Sequence, residues 1–157
     1  MRKFSLILLL SFSLALFSCG DSKTKTDSNT TDGSETSLAD SLEDQVWDGH
    51  DVGMAKYGTL RGMKLRAEQM IDSISKLPAA EKEAAASYRE QLTSLVKDLS
   101  EAKEGMDGWM RYYRDVRDSA KDDPPKRIAF LRDEIERVNK IRDAILQSLA
   151  RADSLIK

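Results

Sequence analysis

Cysteine is nearly missing from this 157-residue chain: Cys19 stands alone, so no intrachain disulfide can staple the fold. Histidine is equally scarce, with His50 the single imidazole, and one His without a free Cys makes a poor zinc site. Aromatics are 6% of residues and prolines number three. No glycine-rich phosphate loop, GxSxG or HExxH occurs. His50 has no neighbouring serine to activate, so catalysis is not expected and the chain reads as a non-enzyme. An excess of positive charge is also lacking. The net charge is −2, and losing Arg2 and Lys3 with the first eighteen residues would take it to −4. That mild acidity argues against nucleic acid, whose phosphates demand a basic face. Arg111, Arg114 and Arg117 interleave with Tyr112 and Tyr113, and read as a solvated helix face beside a Tyr in the seam.

What is abundant is charge, at 33%, arranged around apolar stripes. From Ala79 to Ala120 the stripe runs Ala85, Tyr88, Leu92, Leu95, Leu99, Ala102, Met106, Trp109, Tyr113, Val116 and Ala120. Steps of three and four put these on one face of a helix, whereas a strand needs a period of two. Such a helix spans roughly 60 Å and needs an equally long partner. On the N-terminal side Leu38, Leu42, Val46, His50, Gly53, Tyr57 and Leu60 continue through Met63, Ala67, Met70, Ile74 and Leu77. On the C-terminal side the stripe is Ile128, Leu131, Ile135, Val138, Ile141, Ile145, Leu149, Ala152 and Ile156.

Pro78 and the pair Pro124-Pro125 punctuate the ribbon, because proline cannot donate a helical hydrogen bond and restricts the residue before it. The spacing predicts three helices, about 38–77, 79–121 and 125–156. Short connections make neighbours antiparallel. The expected fold is all-α: a long up-down-up three-helix bundle with coiled-coil-like packing over residues 38–157. Glu101, Glu104, Glu134 and Glu136 read as solvated surface rather than acid–base pairs.

Ahead of the bundle, Arg2 and Lys3 precede an apolar run from Phe4 to Phe17. A basic start and a run too short to span a bilayer make a secretory signal. The run closes Leu16-Phe17-Ser18-Cys19-Gly20, which resembles the lipobox of bacterial lipoproteins, with Phe17 departing from the commonest pattern. The resemblance implies cleavage after residue 18, acylation of Cys19, and a lipid anchor in the cell envelope of a Gram-negative bacterium. No cofactor is expected beyond that covalent lipid. Residues 20–37, GDSKTKTDSNTTDGSETS, hold no large apolar side chain, and residues 19–37 read as a disordered tether.

The stripe is broken at one height. Gly49, Gly53, Gly58 and Gly62 fall in the first helix and Gly105 and Gly108 in the second, each costing about 1 kcal/mol against Ala. Folding the ribbon at Pro78 sets Trp47 near Trp109, His50 near Met106 and Met54 near Ala102, and the second turn adds Asn139 and Arg142. Three chemistries suit this layer. It can be core, with Met filling gaps around Trp. It can be a soft-metal site for Cu(I) or Ag(I) through His50, Met54, Met106 and Met110, which lie in pairs four apart. It can be a partner surface anchored by Trp47, Trp109 or Tyr112, for another envelope protein or for self-association.

Trp47-Asp48-Gly49-His50-Asp51-Val52-Gly53-Met54, then Met106-Asp107-Gly108-Trp109-Met110, then Val138-Asn139-Lys140-Ile141-Arg142-Asp143 together resemble a family of small Bacteroidota lipoproteins often labelled "viral A-type inclusion protein". Gly108 interrupts the Asp-Trp-Met run of that family. The resemblance implies a helical, lipid-anchored protein and assigns no activity.

Overall fold

A computed structural model describes the backbone of residues 29–156 and side chains from residue 33 onward. The signal segment, Cys19 and most of the tether lie outside the described residues. The described residues form an all-α bundle without strands: α1 (Asn29–Ala55), α2 (Tyr57–Ser75), α3 (Ala79–Ala84), α4 (Ala86–Val116) and α5 (Pro124–Leu155). A 3-10 turn, Arg117–Ala120, closes the second arm.

The three arms follow the sequence pattern. Val46, Leu60, Ala67, Leu92, Leu95, Leu99, Met106, Val138 and Ile145 are fully buried, all at stripe positions. Pro78 caps α3 in extended backbone. Pro124 takes the first turn of α5, where its missing N–H costs nothing, and the Asp123 carboxylate accepts from the Lys126 N–H at 3.2 Å. The Lys126 ammonium also pairs with Asp123 and holds its carboxyl below the usual range. At the other end, the Tyr88 hydroxyl donates to the Leu155 carbonyl at 3.0 Å and ties α4 to the last turn of α5.

Five details depart from the pattern. Residues 29–37, expected in the disordered tether, are helical. Extending an existing helix adds a hydrogen bond for each residue fixed, so helix runs past the packed part. The first buried side chain is Ala39, while Leu38 is 43% exposed although the stripe included it. The first arm is not continuous: at Lys56 the N–H bonds back three residues to the Gly53 carbonyl at 3.1 Å, a tightened turn between α1 and α2. The second arm has a wrinkle at Ala85, where the hydrogen bonds from Ala85 to Glu81 and from Arg89 to Ala85 carry through. Its last turn tightens to 3-10 before the prolines.

The break at Lys56 has a geometric consequence. α1 lies chiefly along α5, and α2 chiefly along α4. Two glycines let α1 approach. A Cβ at Gly49 would fall 2.8 Å from Asn139 Oδ1 and 2.9 Å from Val138 Cγ1. One at Gly53 would fall 2.6 Å from Met106 Cε and 3.4 Å from Ile145 Cδ1. Gly58 and Gly62, just past the break, have nothing within 4 Å of a Cβ. Where α2 begins, the Tyr57 hydroxyl donates to Asp107, which also pairs with Lys103 at 2.6 Å. The Lys103 ammonium, with Tyr57 second, holds the Asp107 carboxyl below its usual range, and burial pushes the Tyr57 phenol up.

Gly49→Ala should destabilise the chain by about 1–3 kcal/mol, because Val138 is stiff and Asn139 is held by Arg142. Gly58→Ala and Gly62→Ala should each stabilise it by about 0.5–1 kcal/mol. Urea denaturation of the three variants checks the contrast; a harmless Gly49→Ala would mean that α1 does not lie this close to α5.

Candidate functional site

A layer forms around His50, and its contacts are mostly between rings. Trp47 meets His50 edge-on at 5.3 Å between ring centroids and Tyr113 edge-on at 5.6 Å. His50 lies 5.7 Å from Trp109, so the imidazole has an indole on either side. Trp109 stacks on Tyr113 at 5.0 Å, and Tyr113 on Phe130 at 5.9 Å. Five rings from α1, α4 and α5 thus make one chain of contacts. Such edge-on and offset pairs add about 0.5–1.5 kcal/mol each beyond area burial. His50 Nδ1 lies 2.9 Å from the Asp51 carboxylate.

The layer is also polar. Glu134, expected on the solvated surface, is 1% exposed. Its Oε2 accepts from the Trp109 indole N–H at 2.8 Å. Its Oε1 makes no hydrogen bond, but the Arg137 guanidinium lies 3.4 Å away and supplies charge without bond geometry. Arg137 in turn lies over the Tyr112 ring at 5.1 Å. The sequence carried the signal: Glu134 follows Leu131 by three and precedes Val138 by four, both core positions. Charge and spacing point opposite ways at this position, and the indole donor on α4 decides for the core.

A second polar arm lies toward the start of α5. The Tyr113 hydroxyl reaches Glu43 Oε1 at 3.5 Å, Glu43 Oε2 accepts from Arg127 at 2.5 Å, and Arg127 pairs with Asp40 at 2.9 Å. Burial, then the Glu43 charge, pushes the Tyr113 phenol up to about 12. Nothing in the stripe pattern singled out Glu43 or Arg127, which flank the seam.

The residues proposed from the sequence as a site are distributed as follows. Met106 is fully buried, with its methyl over Gly53, while Met54 and Met110 are half-buried against the core. Among the described residues no three His, Cys, Asp or Glu side chains gather for a metal ion. Trp109 is 5% exposed and its N–H is spent on Glu134, so it is a layer residue and not an exposed anchor. Trp47 at 36% and Tyr112 at 41% remain accessible, Trp47 against Tyr113 and Tyr112 beside Arg137 of α5. No family model, curated protein or solved structure matches this chain.

Two outcomes follow. Trp109→Phe should cost about 1–3 kcal/mol by orphaning a buried carboxylate. Trp109→Phe combined with Glu134→Leu should cost less than the two single changes summed, in a double-mutant cycle read by urea denaturation. The neutral Tyr113 phenol stabilises the fold fully below its unfolded value near pH 10, and this is lost as pH rises through about 12. Absorbance titration should therefore show a tyrosine ionising near pH 12, and Tyr113→Phe should remove that step.

Proposed function

We propose that this chain is a lipid-anchored protein of a Gram-negative bacterial envelope, and that its folded part is a non-enzymatic helical module for protein interaction or a structural role. The observation that carries the reading is the position of Cys19. The chain's single cysteine stands at the end of a short apolar run, behind Leu16-Phe17-Ser18 and after Arg2 and Lys3. Two or three acyl chains, at about 0.8 kcal/mol per buried CH₂, anchor a protein stably. None of the described helices is long and apolar enough to cross a membrane.

The long bundle supports the module reading. Polar side chains tie its arms together: the Trp109–Glu134 bond, the Arg127–Glu43 pair and the Arg151–Asp98 pair all join different arms. The His50 ring is already engaged by Trp47, Trp109 and Asp51. That favours packing over soft-metal ligation at this layer.

Expression of the full chain in a Gram-negative host with an alkyne-tagged fatty acid tests the anchor. The tag should appear on the wild type and be lost in Cys19→Ala, and mass spectrometry should find an acylated Cys19 as the mature N-terminus. A mature N-terminus elsewhere, or an unmodified Cys19, would overturn the proposal.

A further inference from the structure

Gly105 and Gly108 are not explained by the chain's own packing, and they share one trough. A Cβ at Gly105 would meet only Ile141 side-chain carbons at 3.7 Å, and one at Gly108 only the Arg111 guanidinium at 3.9 Å. Alanine would fit at both. Together with Ala102, Ile141 and Ala144 they form a low floor on the outer side of the α4–α5 seam. The floor runs from Tyr112 and Arg137 to Asp98 and Arg151, about 20 Å along α4. Its walls carry opposite charge: Asp98, Glu101 and Glu104 on α4, Arg137, Lys140 and Arg151 on α5. At the ends these charges are spent within the chain, Arg151 on Asp98 and Arg137 on Glu134. In the middle, Glu104 and Lys140 are both exposed, and neither has an ion-pair partner among the described residues.

We propose that this trough docks a second copy of the chain, parallel to the first and related to it by a two-fold axis running along the bundle. Charge selects that arrangement. A two-fold across the bundle would lay α4 on α4 and set Glu101 and Glu104 against their own copies. A two-fold along the bundle lays each α4 over its partner's α5 at the same height. Glu104 of each protomer then faces Lys140 of the other, twice per dimer. The missing side chains of Gly105 and Gly108 let the partner's helix approach the α4 backbone. Both chains leave the dimer from the same end. The face is two helices wide and offers on the order of 400 Å² per partner, so the dimer is weak and forms at high local concentration. The inference deepens the interaction reading above and rests on it, but it is independent of the lipid.

The test uses the chain from residue 20 onward, which lacks the apolar run and Cys19, so failure here leaves the anchor unaffected. Unlabelled and ¹⁵N-labelled chains are mixed and treated with a zero-length carbodiimide cross-linker. A Glu104–Lys140 cross-link joining labelled to unlabelled chain is expected, with reversible dimerisation by sedimentation equilibrium. Glu104→Lys and Lys140→Glu should each weaken the dimer about threefold to tenfold. The double swap should restore it. Both residues are exposed, and circular dichroism checks that each variant keeps its helix. A chain that stays monomeric up to about 1 mM, cross-links confined to one chain, or a double swap that restores nothing would each overturn the proposal; a monomer would leave the trough to a helix of a different protein.

Discussion

Two proline breaks set the register on which everything else rests. Neither Pro78 nor the Pro124–Pro125 pair can occupy a helix interior, so a ribbon with one continuous apolar stripe must fold back twice. With the folds fixed, the stripes decide what shares a height. Trp109 meets Glu134, Tyr88 meets the Leu155 carbonyl, and Arg151 meets Asp98, all in antiparallel order. In the first arm the sense reverses: Gly49 faces Val138 and Asn139, and Gly53 faces Ile145, so α1 rises parallel to α5. The aromatic layer is a product of these heights and not a local motif.

The glycines of the first arm show why that arm is interrupted. Gly49 brings the α1 backbone down onto α5, and Gly53 lets it lie between Met106 of α4 and Ile145 of α5. Tyr57, which opens α2, is a large side chain that needs room, and it finds Asp107 and Lys103 on α4. A helix that is close to one partner and then carries bulk toward the other changes its mode of contact. The tightened turn at Lys56 supplies the change where the two contact modes meet. The interruption is therefore the place where a close approach gives way to ordinary side-chain packing.

Most of the bundle was legible because periodicity and proline are local signals. The three stripes, the two turns and the meeting of Trp47, His50 and Trp109 at one height all follow from spacing. The Lys56 break was not legible, since it depends on which neighbour each half of the arm faces, and residue spacing is blind to that. The role of Gly49 was hidden for the same reason: a glycine that must be small and a glycine in open space, such as Gly58, read alike in a sequence. Glu134 is a different case. Its spacing placed it in the core and its charge argued for the surface. The Trp109 N–H, on another helix, resolves the conflict, and no local pattern could supply it.

That bond bears on how the bundle keeps its alignment. Seams of Leu, Val, Ile and Ala repeat nearly every seven residues, so sliding one helix by a heptad replaces apolar contacts with similar ones. Apolar packing alone discriminates weakly among such registers. A buried carboxylate discriminates strongly, because its desolvation is offset only where a donor stands opposite. Along α4 the one indole N–H is that of Trp109, and along α5 the one buried carboxylate is that of Glu134. A slip of either helix by a heptad would leave Glu134 facing apolar side chains and Trp109 without an acceptor. The polar contact in the aromatic layer thus penalises the registers that the apolar stripes would tolerate, and through them fixes the heights at which Trp47, His50 and Tyr113 meet.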